Sequence, residues 1–467
     1  MSSLIEQLEG ALGPQAVLRG AAALEVRDTA QMHGLGVDLG VPLAVLRPRS
    51  TAEVSFILRQ AHAARHPVVP WGGCTGLVDG AAAGGALALS LERMSAIEAI
   101  DATNRVMRAQ AGCILQNACE AAEAHGLLLP LDLGARGSAT LGGVIATNAG
   151  GNRVLRWGMT RDIVLGLEAV LADGTIVDSL NTLIKNNAGY DLKQLFIGSE
   201  GTLGVVTRAV LRLRSRPLSE NVALLAVEEF AHLPRALRRL ERELGGSLSS
   251  FEVMWAEFYR LVTTAPAPGR PILPHGHRFY VLVETRGVSV QADAELFESV
   301  LAGALEDGEV LDAVIAKSDT ERQAIWSLRD DVAQVTRDGP VSAFDISLKI
   351  DDMPGYLDEV HRALVARWGS QCRFVVWGHL GDGNLHVMVG IKDSTPQSHH
   401  EIEELVYGPL RTRPGSSISG EHGIGLQKRD YLSCSRTPEE IALMRTLKNA
   451  LDPYNILNPG KVLSSTG

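Results

Sequence analysis

No two cysteines in this 467-residue chain stand at a CxxC spacing: Cys74, Cys113, Cys119, Cys372 and Cys434 are scattered and odd in number. That excludes a disulfide framework and an iron–sulfur cluster held at the usual thiolate spacing, and it fits a reducing compartment. No apolar run reaches the ~18 residues of a membrane span. The longest run of small apolar residues, Ala81 to Leu91, is Gly-rich and bounded by Asp79 and Glu92. The amino terminus, MSSLIEQLEG, carries Glu6 and Glu9 where a signal peptide needs a basic patch and then an apolar stretch. A cytoplasmic protein is expected. Excess positive charge is also missing. A net charge of −10 argues against a nucleic-acid partner, and the basic stretch Arg235 to Arg242, interleaved with Leu and Glu, reads as the wet face of a helix. Finally, no GxGxxG follows a strand and opens a helix, so a nicotinamide-dinucleotide fold has no fingerprint here.

What is present is enough for at least two cores. The chain exceeds the roughly 250–300 residues at which single cores stop growing, and 45% hydrophobic with 21% charged residues is an ordinary globular balance. Ser50 followed by Glu53 predicts a capped helix with Val54, Ile57, Leu58 and Ala61 on its buried face, running to about Arg65. PVVPW then reads as a strand feeding the Gly-rich loop 72–80. Short apolar runs with Asp173-Gly174 between two of them, interrupted by a helix from Ile114 to His125, give a β-rich region through Arg216. Beyond Pro217, strands alternate with amphipathic helices (ALLAVEEF, LPRALRRLERELGG, HRFYVLVETRG), as in a sheet covered by helices. A last helix spans roughly Pro438 to Leu451. The fold class is α+β, divided as 1–216, 217–437 and 438–467.

Glycines cluster in three loops: WGGCTGLVDG (71–80), RGSATLGGVIATNAGG (136–151) and GSEGTLGVV (198–206). Glycine lets backbone N–H groups approach a pyrophosphate, and Thr75, Ser138 and Thr140 can add hydroxyl donors. Each loop alone reads as a tight turn. In this order and spacing, the stretches VVPWGGCTGL, LDLGARGSATLGGVIATNAGG and KNNAGYDLKQLFIGSEGTLGVVT resemble the two-part FAD-binding domain of the vanillyl-alcohol oxidase and p-cresol methylhydroxylase superfamily. The resemblance implies flavin contacts by Pro70, Gly72, Gly73, Cys74, Thr75, Gly76 and Leu77 in the first loop. Pro130, Gly137, Ser138, Leu141 and Gly142 follow in the second, and Glu200, Gly201 and Val206 in the third. Cys74 stands where some relatives carry a flavin-linking His, so the FAD is expected to be non-covalent.

In the second half, VVWGHLGDGNLHVMV sets His379 and His386 around a GDGN turn between two apolar strands. Such a hairpin can bring both imidazoles to one end of a sheet. Two histidines alone read first as structural residues, but SGEHGIG adds Glu421 and His422, and two His with one carboxylate leave a divalent metal open positions. These segments, continuing through LKNALDPYNILNPGKVL, resemble the FAD-linked D-2-hydroxy acid dehydrogenases, the D-2-hydroxyglutarate and D-lactate group. The resemblance implies oxidation of a D-2-hydroxy acid to the 2-keto acid. In it His379, His386 and Glu421 are metal ligands and His422 is the base. Arg329 holds the substrate carboxylate and Asn458 lies near the flavin ring. Zinc is the first choice of metal and manganese the second.

Where the hydroxyglutarate enzymes meet the far carboxylate with a Thr, a Lys and an Asn, this chain has Ala333, Ala343 and Met388, so short or apolar substrates are expected to match or beat the diacid. Electrons would pass to an external acceptor, an electron-transferring flavoprotein or a quinone. A homodimer is allowed. Two other readings fit less of the sequence: a zinc hydrolase, which has no use for the three flavin loops, and a non-catalytic flavin subunit of a larger oxidase complex, which would not need the His/His/Glu/His set.

Overall fold

The computed structural model describes residues 2–20 and 40–464. The expected domain spans 1–216 and 438–467 also include residues outside the described ones. Ser50 caps the helix Thr51–Ala63 by accepting from the Glu53 N–H, and Val54, Ile57, Leu58 and Ala61 are buried. The chain turns at Arg65 into the strand Val68–Trp71. That strand, with Leu87–Ser90 and Ala44–Leu46 parallel beside it and Val17–Leu18 antiparallel at the edge, forms a four-stranded sheet.

A second, five-stranded antiparallel sheet runs in the order Ile97–Asp101, Val106–Gln110, Val205–Arg212, Val164–Val170, Ile176–Ser179. Its last hairpin turns at Asp173-Gly174, where Gly174 takes φ +85°, a backbone that favours glycine. One hydrophobic core joins both sheets, and its members include Ile456 and Leu457 from the far end of the chain. There the Val68 N–H donates to Ile456 and the Asn458 N–H donates to Val68, so the C-terminal segment adds a parallel bridge to the first sheet.

Residues 219–391 build a seven-stranded antiparallel sheet, ordered Asp312–Ile315, Ser219–Val227, Phe279–Gly287, Leu248–Trp255, Cys372–Gly378, Asn384–Ile391, Ser342–Ser347. Its strands carry apolar residues on both faces, because both are covered. The helices His232–Glu243, Val290–Glu306 and Met353–Trp368 supply one core, and Ala256–Thr263 with Asp319–Asp330 the other. The basic run 235–242 lies on the first of these helices, whose buried side is Leu233, Ala236, Leu237 and Leu240. The strand Leu248–Trp255 is absent from the sequence reading. It opens with Ser249 and Ser250, both buried, and carries the buried Glu252, which hides its apolar pattern.

The flavin-loop half and the large sheet are joined by buried charge. Arg153 pairs with Asp132 at 2.9 Å and with Glu284 at 3.0 Å, and Arg286 also reaches Glu284 at 3.0 Å. Ser250 donates to the Asn152 carbonyl at 2.5 Å beside them. Burial works against the charge of Glu284, but Arg153 and Arg286 hold its carboxyl well below the usual range. Glu284→Gln would leave two guanidiniums short of a counter-charge and should lower the unfolding free energy by about 3–5 kcal/mol in urea denaturation. The stabilisation is complete above the unfolded carboxylate value of about 4.3 and is lost as pH falls through the lower folded value. Wild type and variant should therefore converge in stability toward acid pH.

Candidate active site

Between the flavin-loop half and the large sheet lies a cavity of about 410 Å³. Pro70, Gly72, Gly73, Cys74, Thr75, Gly76, Leu77, Glu200 and Asn458 line it from one side, and Arg329, His379, His386, Glu421 and His422 from the other. The residues expected from separate parts of the sequence thus meet around one space. Pro130, Gly137, Ser138, Leu141, Gly142, Gly201 and Val206 do not line it. Leu141 and Gly142 turn into the core, where a side chain at 142 would strike Ala111, while Gly143, Val144 and Thr147 of the same short helix face the cavity. Val206 is buried on a strand opposite Ala169, Pro130 is buried, and Gly137 and Ser138 are exposed.

The glycines of the first loop have a different use from the one their sequence suggests. A side chain at Gly72 would meet Thr140 Oγ1 at 2.6 Å, and one at Gly73 would run into the Ser138 carbonyl. They let the first two loops pack against each other. Gly76 has open space around its missing side chain and leaves the cavity wall flat. Asn458 donates to the carbonyls of Gly80 and Glu200, which leaves its buried Oδ1 without a partner at the wall. An unmet acceptor beside open backbone is what a flavin ring with N–H donors would complete, so these residues fit FAD.

At the other end, three imidazoles converge on one oxygen. Glu421 Oε1 lies 3.5 Å from His379 Nε2, 3.6 Å from His386 Nε2 and 3.9 Å from His422 Nε2. The hairpin places two of them, His386 on the strand Asn384–Ile391 and His379 just past the strand Cys372–Gly378. Glu421 and His422 come from the loop that follows Ser417. Burial makes His386 reluctant to protonate, down to about 3. For His379 burial acts the same way, but Glu252 and then Glu421 reverse it and raise its proton affinity well above the ordinary value. The negative field that attracts a proton there also suits a divalent cation, and two imidazoles with a carboxylate are a chemically apt donor set.

Two buried carboxylates that the sequence reading missed hold this end in place. Glu252 accepts from His379 Nδ1 at 2.7 Å and from Arg329 Nε at 2.9 Å, so one side chain fixes both. Arg329 Nη2 lies 3.1 Å from His379 Nε2. Asp345 accepts the backbone N–H groups of Glu421 and His422 at 2.9 Å, a 2.6 Å bond from Asn384 and a 3.2 Å bond from Ser419. Lys428, buried and 3.8 Å away, balances it. Asp345 also lies 3.9 Å from Nδ1 of both His386 and His422, on the side opposite Glu421. A second donor set, Asp345, His386, Glu421 and His422 within 4.8 Å of one another, overlaps the expected one. Asp345 already accepts on both oxygens, which suits it to orienting the imidazoles rather than binding a cation itself. The signal for both residues was a single acid inside an apolar strand, FEVMW and FDIS. Asp345→Asn removes the charge from four hydrogen bonds and should lower folding free energy by at least about 1.5–3 kcal/mol in chemical denaturation, with the exposed Asp351→Asn as an unchanged control.

Ala343 and Met388 line the cavity; Ala333 does not. On the 3-10 turn Val332–Thr336, with three residues per turn, Val332 and Val335 share the side that faces the cavity and Ala333 is turned away.

Residues 42–179 match the family described as FAD binding domain, and residues 216–462 match FAD linked oxidases, C-terminal domain. The chain is 42% identical to the mitochondrial D-2-hydroxyglutarate dehydrogenase of Bos taurus, over 91% of this chain and 77% of that one. It is 40% identical to the D-2-hydroxyglutarate dehydrogenase of Xanthomonas citri pv. viticola, over 91% and 90%. Among solved structures, p-cresol methylhydroxylase with substrate bound superposes with a TM-score of 0.79 at 14% identity, covering 100% of this chain and 97% of that one. This agrees with the expected α+β architecture. The expectation of a cytoplasmic protein is corrected: the bovine relative, like those from rat and Arabidopsis thaliana, is named as mitochondrial. No helix among the described residues is long and apolar enough to cross a membrane. With most of its length matched at this identity, the chain belongs to the FAD-linked oxidase family that includes the D-2-hydroxyglutarate dehydrogenases.

Proposed function

We propose that this protein oxidises the C2 hydroxyl of a D-2-hydroxy acid to the 2-keto acid, as its relatives named D-2-hydroxyglutarate dehydrogenase do with theirs. The observation that carries the reading is the meeting of three imidazoles, Glu421 and Arg329 at one end of the cavity whose other end is formed by the flavin loops. FAD, when bound, supplies the two-electron oxidation. A divalent cation on His379, His386 and Glu421, zinc first and manganese second, supplies charge that lowers the pKa of a bound hydroxyl.

The chain's own residues do the rest. Arg329, fixed by Glu252, presents its remaining N–H edge to the C1 carboxylate and so orients C2. His422, its backbone anchored on Asp345, receives the hydroxyl proton at Nε2. The first-loop residues 70–77 and Asn458 hold the flavin, which has no covalent link at Cys74. In this reading residues 1–216 bind FAD, 217–437 carry the substrate and metal groups, and 438–467 return to the flavin. Electrons leave to an external acceptor, an electron-transferring flavoprotein or a quinone.

Chelation should abolish turnover and leave the yellow flavin bound, with zinc or manganese restoring activity. Full activity in exhaustively metal-free protein would end the metal assignment. His422→Asn should slow flavin reduction by about 10²–10⁴-fold, the usual contribution of a general base, with a smaller change in substrate binding. Stopped-flow reduction at the wild-type rate would remove His422 from this role.

A further inference from the structure

Resting on that reaction, the side-chain end of the cavity defines the substrate more narrowly. We infer that the cavity is built for a D-2-hydroxy acid with one carboxylate and an apolar side chain, and that it rejects a second carboxylate.

The charges come first. Among the described residues lining the cavity, Arg329 is the single Lys or Arg, against the carboxylates of Asp79, Asp132, Glu200, Asp330 and Glu421. Its Nε donates to Glu252, its Nη2 lies 3.1 Å from His379 Nε2 and its Nη1 lies 3.9 Å from Asp330, so the guanidinium has donors left for at most one carboxylate. Two other arginines on neighbouring segments are occupied. Arg373 donates to the carbonyls of Val335, Gly339 and Pro340, and Arg337 to those of Leu261 and Thr264.

The wall next to the imidazoles is apolar by register. Met388 is two residues from His386 on one strand, so both emerge on the same face about 7 Å apart. Ala343 faces Met388 across the sheet, and Trp377 faces His386. Met388, Ala343 and Trp377 belong with Val332, Val335 and Val341 to one hydrophobic cluster. The polar atoms on this wall are neutral. Thr336 donates to the Ala333 carbonyl, and the buried Trp377 Nε1 has no partner. A neutral donor does not offset the several kcal/mol of desolvation that a carboxylate meets on leaving water. A methyl, ethyl or branched alkyl group has no such penalty, and Met388 can adapt to its shape.

The test uses the holoenzyme and follows flavin reduction by D-lactate, D-2-hydroxybutyrate, D-2-hydroxyisovalerate, D-2-hydroxyisocaproate and D-2-hydroxyglutarate. The best apolar substrate should exceed D-2-hydroxyglutarate in kcat/KM by about tenfold or more, and Ala343→Lys should narrow that ratio by placing a cation on the wall. Equal or faster reduction by D-2-hydroxyglutarate in the wild type overturns the inference and leaves the reaction standing. An unchanged ratio in an Ala343→Lys variant of normal FAD content overturns it too. Failure of every D-2-hydroxy acid to reduce the flavin would overturn the reaction itself.

Discussion

Burying carboxylates is the constraint around which this molecule is arranged. Glu252 and Asp345 are buried beside one end of the cavity and Glu421 is half-buried at its wall, and an unpaired buried carboxylate is too costly to persist. Each therefore collects donors: Glu252 takes Arg329 and His379, Asp345 takes two backbone N–H groups, Asn384, Ser419 and Lys428, and Glu421 takes the imidazoles and the Gly151 N–H. Those donors come from the helix Asp319–Asp330, from the hairpin that carries His379, Asn384 and His386, from the segment 419–428 and, through Gly151, from the flavin-loop half. Satisfying the charges is the same act as assembling the site.

The same requirement joins the two halves. Glu200 on the third Gly-rich loop is half-buried, desolvation raises its carboxyl's proton affinity, and it accepts the N–H groups of Ile424 and Gly425. It thereby holds the loop that carries Glu421 and His422 from the flavin side, as Asp345 holds it from the sheet side. The loop is clamped between two acids, each belonging to a different core. The flavin loops and the loop of Glu421 and His422 are therefore registered against one another through a few hydrogen bonds.

Much of this was legible in the sequence because its signals are local. The Ser50 cap, the Asp173-Gly174 turn and the hairpin around 380–384 each depend on a few adjacent residues, and the structure forms them as read. His379, His386, Glu421, His422 and Arg329 were legible as motifs, and the structure brings them to one cavity. What was not legible depends on partners distant in the chain. Glu252 is one acid in an apolar strand until His379 and Arg329, 127 and 77 positions away, meet it. The glycines at 72 and 73 have a close neighbour that lies some seventy residues on, so their loop-to-loop packing could not be read from the loop itself. Similarly, which residues of 137–147 face the cavity follows from the rotation of a short helix, a property set by Ala111 beneath it.

The bridge between Val68 and Leu457 has a consequence for the order of events during synthesis. The four-stranded sheet is made from residues 17–90, yet its core takes Ile456 and Leu457, which are translated long after them. Asn458, the acceptor at the flavin wall, arrives in the same stroke. The nascent chain must therefore leave that core with a gap in it while the more than two hundred residues of the other half are translated, and the cofactor's berth is finished only after they are.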